Sequence, residues 1–188
     1  MKTRYILYIF LILQGSLMSA TIKHININNV DIPVIFEEQK SLPILNLQLI
    51  FKNSGYIKDN QNLGLASLSA RVLNEGTKKL GSVKFSEILD DNAITIHSAV
   101  GFETLTIELS SLKEKSTLAI KSLNELLQSP NLSENSLEKV KTLAIGSLKR
   151  KENDFDDVAS KGLNALLYSG TALANPAGVT IESISKIE

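Results

Sequence analysis

Apolar residues in this chain recur first at every second position and then at every third or fourth, and this change of period restricts the fold most. Residues 44–51 alternate between apolar and polar side chains, which predicts a strand with one buried face. After a polar loop, Leu65, Leu68 and Val72 recur at helical spacing, and the predicted helix ends at Gly76. The chain therefore combines strands and helices.

Two shorter strands are predicted before the alternating segment. Residues 21–30 and 31–38 read as strands that meet at Asn28-Asn29, a turn-prone pair. We expect these two strands and residues 44–51 to form one side of a sheet.

A helix and a hairpin are predicted after the helix that ends at Gly76. The helix is short and covers residues 84–91. The hairpin joins two alternating strands, residues 94–100 and 104–109, around Gly101.

Two long helices follow the hairpin. The first ends at Pro130, and Ser133 is the expected N-cap of the second. Their apolar residues recur at helical spacing: Ala119, Leu123 and Leu126 in the first, and Leu137, Val140 and Ala144 in the second. Strands, a helix, a hairpin and paired long helices in this order predict the α+β class.

Composition limits both the size of the protein and its partners. The chain has 188 residues, of which 43% are hydrophobic and 21% are charged, as expected for about one globular domain. Its 20 basic and 20 acidic residues balance, so no basic face for nucleic acid is expected. The sequence contains no cysteine, and its two histidines are His24 and His97.

Residues 1–20 have the pattern of a secretory signal peptide. Lys2 and Arg4 precede the apolar run 5–13, and small residues follow up to Ala20, where cleavage is expected. The run is shorter than the ~20 residues of a membrane-spanning helix, so no stable membrane anchor is expected. These features predict a periplasmic or secreted protein.

Four short segments together resemble one known family. They are GLA at 64–66, which opens the stretch GLASLSARVLNEGT at 64–77, EGTKK at 75–79, DNA at 91–93, and LKRKEND at 148–154. In order and spacing they are similar to the N-terminal domain of the M16 metallopeptidases, such as pitrilysin, insulysin and the mitochondrial processing peptidase. The resemblance runs from Ile22 to Ile187. It implies an α/β roll with helices packed on one face of an antiparallel-rich sheet, formed by residues 21–188 and incomplete at the C-terminus.

The resemblance also locates a zinc site whose chemical residues are replaced. M16 peptidases carry the motif HxxEH, in which two histidines bind zinc and a glutamate acts as general base. Ser67, Ala70 and Arg71 stand at these three positions. The third zinc ligand of the family is a glutamate on a later helix, and the family's interval places Ser147 there.

The replacements predict an inactive homologue that holds no cofactor. Serine, alanine and arginine offer no zinc ligand of the kind a catalytic site needs. Arg71 also places a permanent positive charge where the cation would bind. Zinc is expected only if the activity of the family is somehow retained.

Two other side chains have a structural and a functional interpretation. His97 lies in a predicted strand, where a hydrogen-bonded surface residue is the default and a metal ligand the alternative. Arg71 could form a surface ion pair with Glu75 four residues later, or reach a carboxylate on a partner or substrate. The LKRKEND segment is expected to be a solvated helix face.

Three functions follow from the resemblance. The first is a non-catalytic exported subunit or fragment that helps an HxxEH-bearing homologue to enclose a peptide substrate, as a heterodimer. The second is the zinc-dependent endopeptidase activity of the family. The third is a truncated, decayed gene product without function.

Overall fold

The computed structural model describes residues 20–59, 62–171, 173 and 179–188. The predicted signal peptide lies almost wholly outside these residues, and its boundary stays a prediction. The chain divides into two compact units, Met1–Pro43 and Ile44–Glu188.

The first unit contains a two-stranded antiparallel hairpin. Strands β1 (Thr21–Ile27) and β2 (Val30–Phe36) are joined by a tight turn at Asn28 and Asn29. Both asparagines have positive φ, 50° and 65°, as a type I′ turn requires, and asparagine tolerates this conformation better than most residues. The predicted turn is confirmed.

The prediction that these strands share a sheet with the next one was wrong. Strands β1 and β2 pair with each other, whereas β3 (Ile44–Lys52) belongs to a three-stranded sheet with the order β3-β5-β4. Alternation predicts a strand and its buried face, but it does not identify the partner strand.

The three-stranded sheet of the second unit is antiparallel and has one apolar face. Its other strands are β4 (Thr95–Val100) and β5 (Thr104–Leu112), which form the predicted hairpin. In register, Leu109 lies opposite Leu47 on one side and Ile96 on the other. These cross-strand neighbours project from the same face, which the helices cover.

Two helices cover this face and form the main core. They are α2 (Gly81–Asp90) and α3 (Ser116–Gln128). Their buried residues pack with Ile107 and Leu109 of β5 in one cluster: Phe85, Leu89, Ala119, Leu123 and Leu126. The predicted α+β architecture, with helices on one face of an antiparallel sheet, is confirmed.

A second core cluster joins three helices that are distant in sequence. They are α1 (Leu65–Leu73), α4 (Glu134–Lys151) and α6 (Ile181–Ser185). The cluster consists of helix residues and of Ile187, which follows α6: Leu68, Val72, Val140, Ala144, Ile184 and Ile187. Ser133 caps α4 as predicted, because its side chain accepts a hydrogen bond from the Ser136 N–H. This cluster fixes the position of α1, the helix that carries the degenerate motif.

Helix α5 (Phe155–Leu167) was not predicted and has no buried residue. Asp154 caps it by accepting hydrogen bonds from the backbone N–H groups of Asp156 and Asp157. Within the described residues, no helix combines the length and apolar character needed to cross a membrane.

Candidate functional site

The N-terminus of α1 is held by a buried carboxylate and a glycine. Asp59 accepts hydrogen bonds from the N–H groups of Gly64 and Ala66, both at 2.9 Å. Gly64 has a φ of 99°, and a Cβ there would lie 2.7 Å from Ile184 Cδ1. Glycine is therefore favoured here by the backbone conformation, and a larger residue would also have to displace the end of the Ile184 side chain.

Hydrogen bonds fasten α1 to the edge strand β4. The Asn74 carboxamide accepts from Ser98 N at 2.8 Å and donates to Ser98 O at 3.0 Å. The Ser98 hydroxyl donates to the backbone oxygen of Ala70. The Tyr56 hydroxyl donates to Val100 O at 2.6 Å, two residues along the strand. Sequence reasoning did not identify these residues, because each contact joins positions far apart in the chain.

A cleft of about 330 Å³ lies between α1 and β4. The structure brings the three replaced motif positions together there: Ser67, Ala70 and Arg71 all line the cleft. Ala70 is buried at 3% exposure, Ser67 is half-buried and Arg71 is exposed. Of these three positions, the side chains available to a ligand are therefore the Ser67 hydroxyl and the Arg71 guanidinium.

Ser147 lies on α4, which packs against α1. It is half-buried, one turn after Ala144 of the second core cluster. It is not among the residues that line the cleft. The correspondence of Ser147 to the third zinc ligand of the family stays a prediction.

The predicted surface ion pair between Arg71 and Glu75 was wrong. Helix α1 ends at Leu73, so Glu75 lies beyond it and the helical spacing does not bring the two side chains together. Glu75 instead binds Lys139 on α4, with Oε2 and Nζ 2.6 Å apart. Arg71 forms no ion pair within the described residues.

His97 lines the cleft from β4 and is exposed. It lies opposite Glu108 in the strand register. His24 is in the β1–β2 hairpin, where Nδ1 is 2.8 Å from Asp31 Oδ2. Across the described parts of the chain, no three His, Cys, Asp or Glu side chains come together as a metal-binding group. The residues at the motif do not fit zinc, because serine and a charged arginine stand at the two histidine positions and alanine stands at the position of the general base.

Comparison with known proteins agrees with the fold and with the prediction of an inactive homologue. The sequence pattern of the insulinase family, peptidase family M16, matches residues 34–180. Over 172 residues, the chain is 45% identical to the Non-peptidase homolog YmxG of Helicobacter pylori. The match covers 92% of this chain and 40% of that protein, so the chain spans less than half of the relative's length.

Solved structures share the same fold. An inactive M16 peptidase domain from Pseudomonas fluorescens has a TM-score of 0.80 and 22% identity, covering 89% of this chain and 41% of that one. The periplasmic protease PqqL from Escherichia coli has a TM-score of 0.65 and 12% identity, covering 91% and 19%. The names of the Helicobacter and Pseudomonas proteins agree with the prediction of an inactive homologue. The chain belongs to the insulinase family of peptidases, family M16.

Proposed function

We propose that this chain is a non-catalytic M16 subunit, which helps to enclose a peptide while an HxxEH-bearing homologue supplies zinc and cleaves it. The observation that carries the proposal is the cleft between α1 and β4. Its helix α1 belongs to a chain with the M16 fold, yet Ser67, Ala70 and Arg71 occupy the chemical positions.

The residues of the cleft argue against catalysis by the chain itself. A zinc peptidase needs about three neutral or anionic ligands and a base that activates water. Loss of a general base alone costs a factor of about 10²–10⁴ in rate. Arg71 adds a charge that repels a metal cation.

The packing of α1 supports a role that needs no metal. Leu68 and Val72 are buried against α4 and α6, and Asp59 and Asn74 hold the two ends of the helix. These contacts come from side chains of the chain itself. The surface that faces the cleft is therefore formed without a bound ion.

We further propose that the chain works in the periplasm or outside the cell. The basic and apolar pattern of residues 1–20 supports export. The Escherichia coli relative PqqL is described as a periplasmic protease, which supports the same compartment for this chain.

Co-purification tests the partner. The full-length chain, carrying an affinity tag, is co-expressed with an HxxEH-bearing homologue from the same host. We expect a stable complex that cleaves a fluorogenic peptide faster than the homologue alone. Replacing the motif glutamate of the homologue abolishes that cleavage. Recovery of no complex would contradict the proposal.

Metal analysis tests the opposing endopeptidase activity. The chain purified alone is expected to contain no stoichiometric zinc and to leave the peptide intact. Stoichiometric zinc that is lost in His97→Ala, together with cleavage by the chain alone, would replace the proposed function with a relocated peptidase site.

A further inference from the structure

We propose that the cleft between α1 and β4 binds one carboxylate of a peptide, with Arg71 as the residue that receives it. This inference rests on the proposed function, because the ligand is the peptide that the chain helps to enclose. It assigns a binding role to a position where catalytic members of the family have a zinc ligand.

The charge of the cleft comes from Arg71. Among the described residues that line it there is no aspartate or glutamate. Glu75, the nearest acid along the chain, is already bound to Lys139 at 2.6 Å. A guanidinium stays charged in proteins and presents a planar set of donors that matches a carboxylate with two parallel hydrogen bonds. Arg71 is thus available for an anion from outside the chain.

Ser67 provides a second donor on the same face of the helix. It lies four residues before Arg71, and side chains at this spacing lie one above the other on a helix. Its hydroxyl has no hydrogen-bond partner in the described residues, although the residue is half-buried and lines the cleft. The pair can bind one carboxylate, Arg71 through its guanidinium and Ser67 through its hydroxyl.

The edge of β4 offers little to the main chain of a peptide. Peptides often bind a sheet by adding a strand, which requires free N–H and C=O groups along the edge. Asn74 already occupies both groups of Ser98, and Tyr56 occupies the oxygen of Val100. At Ser98 and Val100, recognition of a peptide through a terminal or side-chain group is therefore favoured over strand addition.

The donors favour a carboxylate over a polyanion. One guanidinium and one hydroxyl satisfy the two oxygens of a carboxylate, whereas phosphate sites gather several cationic or backbone donors. The carboxylate can come from an aspartate or glutamate side chain, or from the C-terminus of the peptide.

Three pentapeptides separate these sources. The first is acetylated and amidated with a central glutamate, the second carries glutamine instead, and the third is the glutamine peptide with a free C-terminal carboxylate. Binding to the full-length chain is followed by fluorescence polarisation and by the ring signals of the chain's two histidines, His24 and His97. We expect the glutamate peptide or the free-carboxylate peptide to bind and to shift the His97 signal, while the His24 signal stays unchanged. Binding of the neutral peptide with equal affinity would overturn the proposal.

Charge-neutralising variants test the residue itself. Arg71→Gln is expected to weaken binding of the preferred peptide about tenfold or more, as loss of a charge-assisted hydrogen bond does. Arg150→Gln is the matched control, because it removes another exposed arginine, which lies on α4 outside the cleft, and it should leave binding unchanged. Circular dichroism verifies that both variants are folded. Equal losses in the two variants, or none in Arg71→Gln, would overturn the proposal.

Salt dependence provides a readout that needs no variant. Binding through an exposed guanidinium should weaken as ionic strength rises, because ions screen exposed charges. A carboxylate preference that does not change with salt would contradict a role for Arg71.

If the chain forms the complex with its catalytic homologue but shows no carboxylate preference, this inference fails and the proposed function stands. If the chain binds carboxylate peptides but forms no complex, the carboxylate site stands and the proposed function fails.

Discussion

Helices α1 and α5 have similar apolar stripes but opposite surroundings. In α1, Leu68 and Val72 are 1% and 5% exposed, because α4 and α6 cover them. In α5, Phe155 and Leu166 are 87% and 80% exposed. Both stripes recur at helical spacing, so amphipathic pattern alone does not distinguish a packed helix from an uncovered one.

The difference shows which forces hold each helix. Short helices are marginal in water, and most of their stability in proteins comes from packing. Helix α1 has that packing and two side-chain anchors, Asp59 and Asn74. Helix α5 relies on local interactions, namely the Asp154 cap and the ion pairs of Asp157 with Lys151 and Lys161. Changes in α1 should therefore affect the fold, and changes in α5 should act locally.

Matched leucine truncations should give the largest contrast. Leu68→Ala leaves a cavity in the second core cluster and is expected to lower the free energy of unfolding by about 2–5 kcal/mol. Leu163→Ala in α5 removes a side chain that is 56% exposed, with an expected effect within about 0.5 kcal/mol. Urea unfolding measures both. Equal losses would mean that α5 is as firmly packed as α1.

Two glycine substitutions should have effects of opposite sign. Gly64→Ala forces a left-handed conformation on alanine and crowds Ile184, so a loss of about 1–2 kcal/mol is expected. Gly162→Ala places a methyl group in open space inside α5, and should add about 0.5–1 kcal/mol to the stability of that helix. Thermal unfolding and helix content by circular dichroism report the two effects. Stabilisation by Gly64→Ala would contradict the geometry of the α1 N-terminus.

Removing the cap of α5 should act on that helix alone. Asp154→Ala leaves the N–H groups of Asp156 and Asp157 without their acceptor, at a cost of about 1 kcal/mol to α5. Amide hydrogen exchange should become faster in α5 and stay unchanged in α1. Faster exchange in both helices would show that they are coupled, against the separation inferred here.

The smallest expected effect is a pH dependence confined to α5. A hydrogen bond from Lys161 holds the pKa of the Asp157 carboxyl below its ordinary value; burial opposes this and Lys151 adds to it. Because the folded pKa is depressed, the stabilisation is present above the ordinary pKa of aspartate and is lost as the pH falls through the folded value. Amide exchange in α5 across an acid pH series measures the loss. Asp157→Asn should abolish this dependence, whereas Asp156→Asn, which keeps both ion pairs, should not.

Local signals made much of the fold predictable. The paired asparagines at 28 and 29 identified the first turn, and Ser133 identified the start of α4. Helix α5 was not predicted, because LKRKEND was interpreted only as a solvated helix face. Phe155, Val158 and Leu166 recur at helical spacing and would have revealed it.

Contacts between distant residues limited the prediction of the site. The positions of Ser67, Ala70 and Arg71 on one helix followed from their spacing. The bonds from Asn74 to Ser98 and from Tyr56 to Val100 span 24 and 44 residues, and no local pattern encodes them. The Arg71–Glu75 prediction failed for a related reason, since Lys139 on another helix competes for the same carboxylate.

The carboxamide of Asn74 has a consequence for how copies of this protein meet. An exposed edge strand is a template on which another molecule can add a strand, and such additions lead to aggregation. Asn74 satisfies both main-chain groups of Ser98 and so interrupts that template in the middle of β4. A single amide side chain thus removes one residue of this edge from pairing with a strand of another molecule.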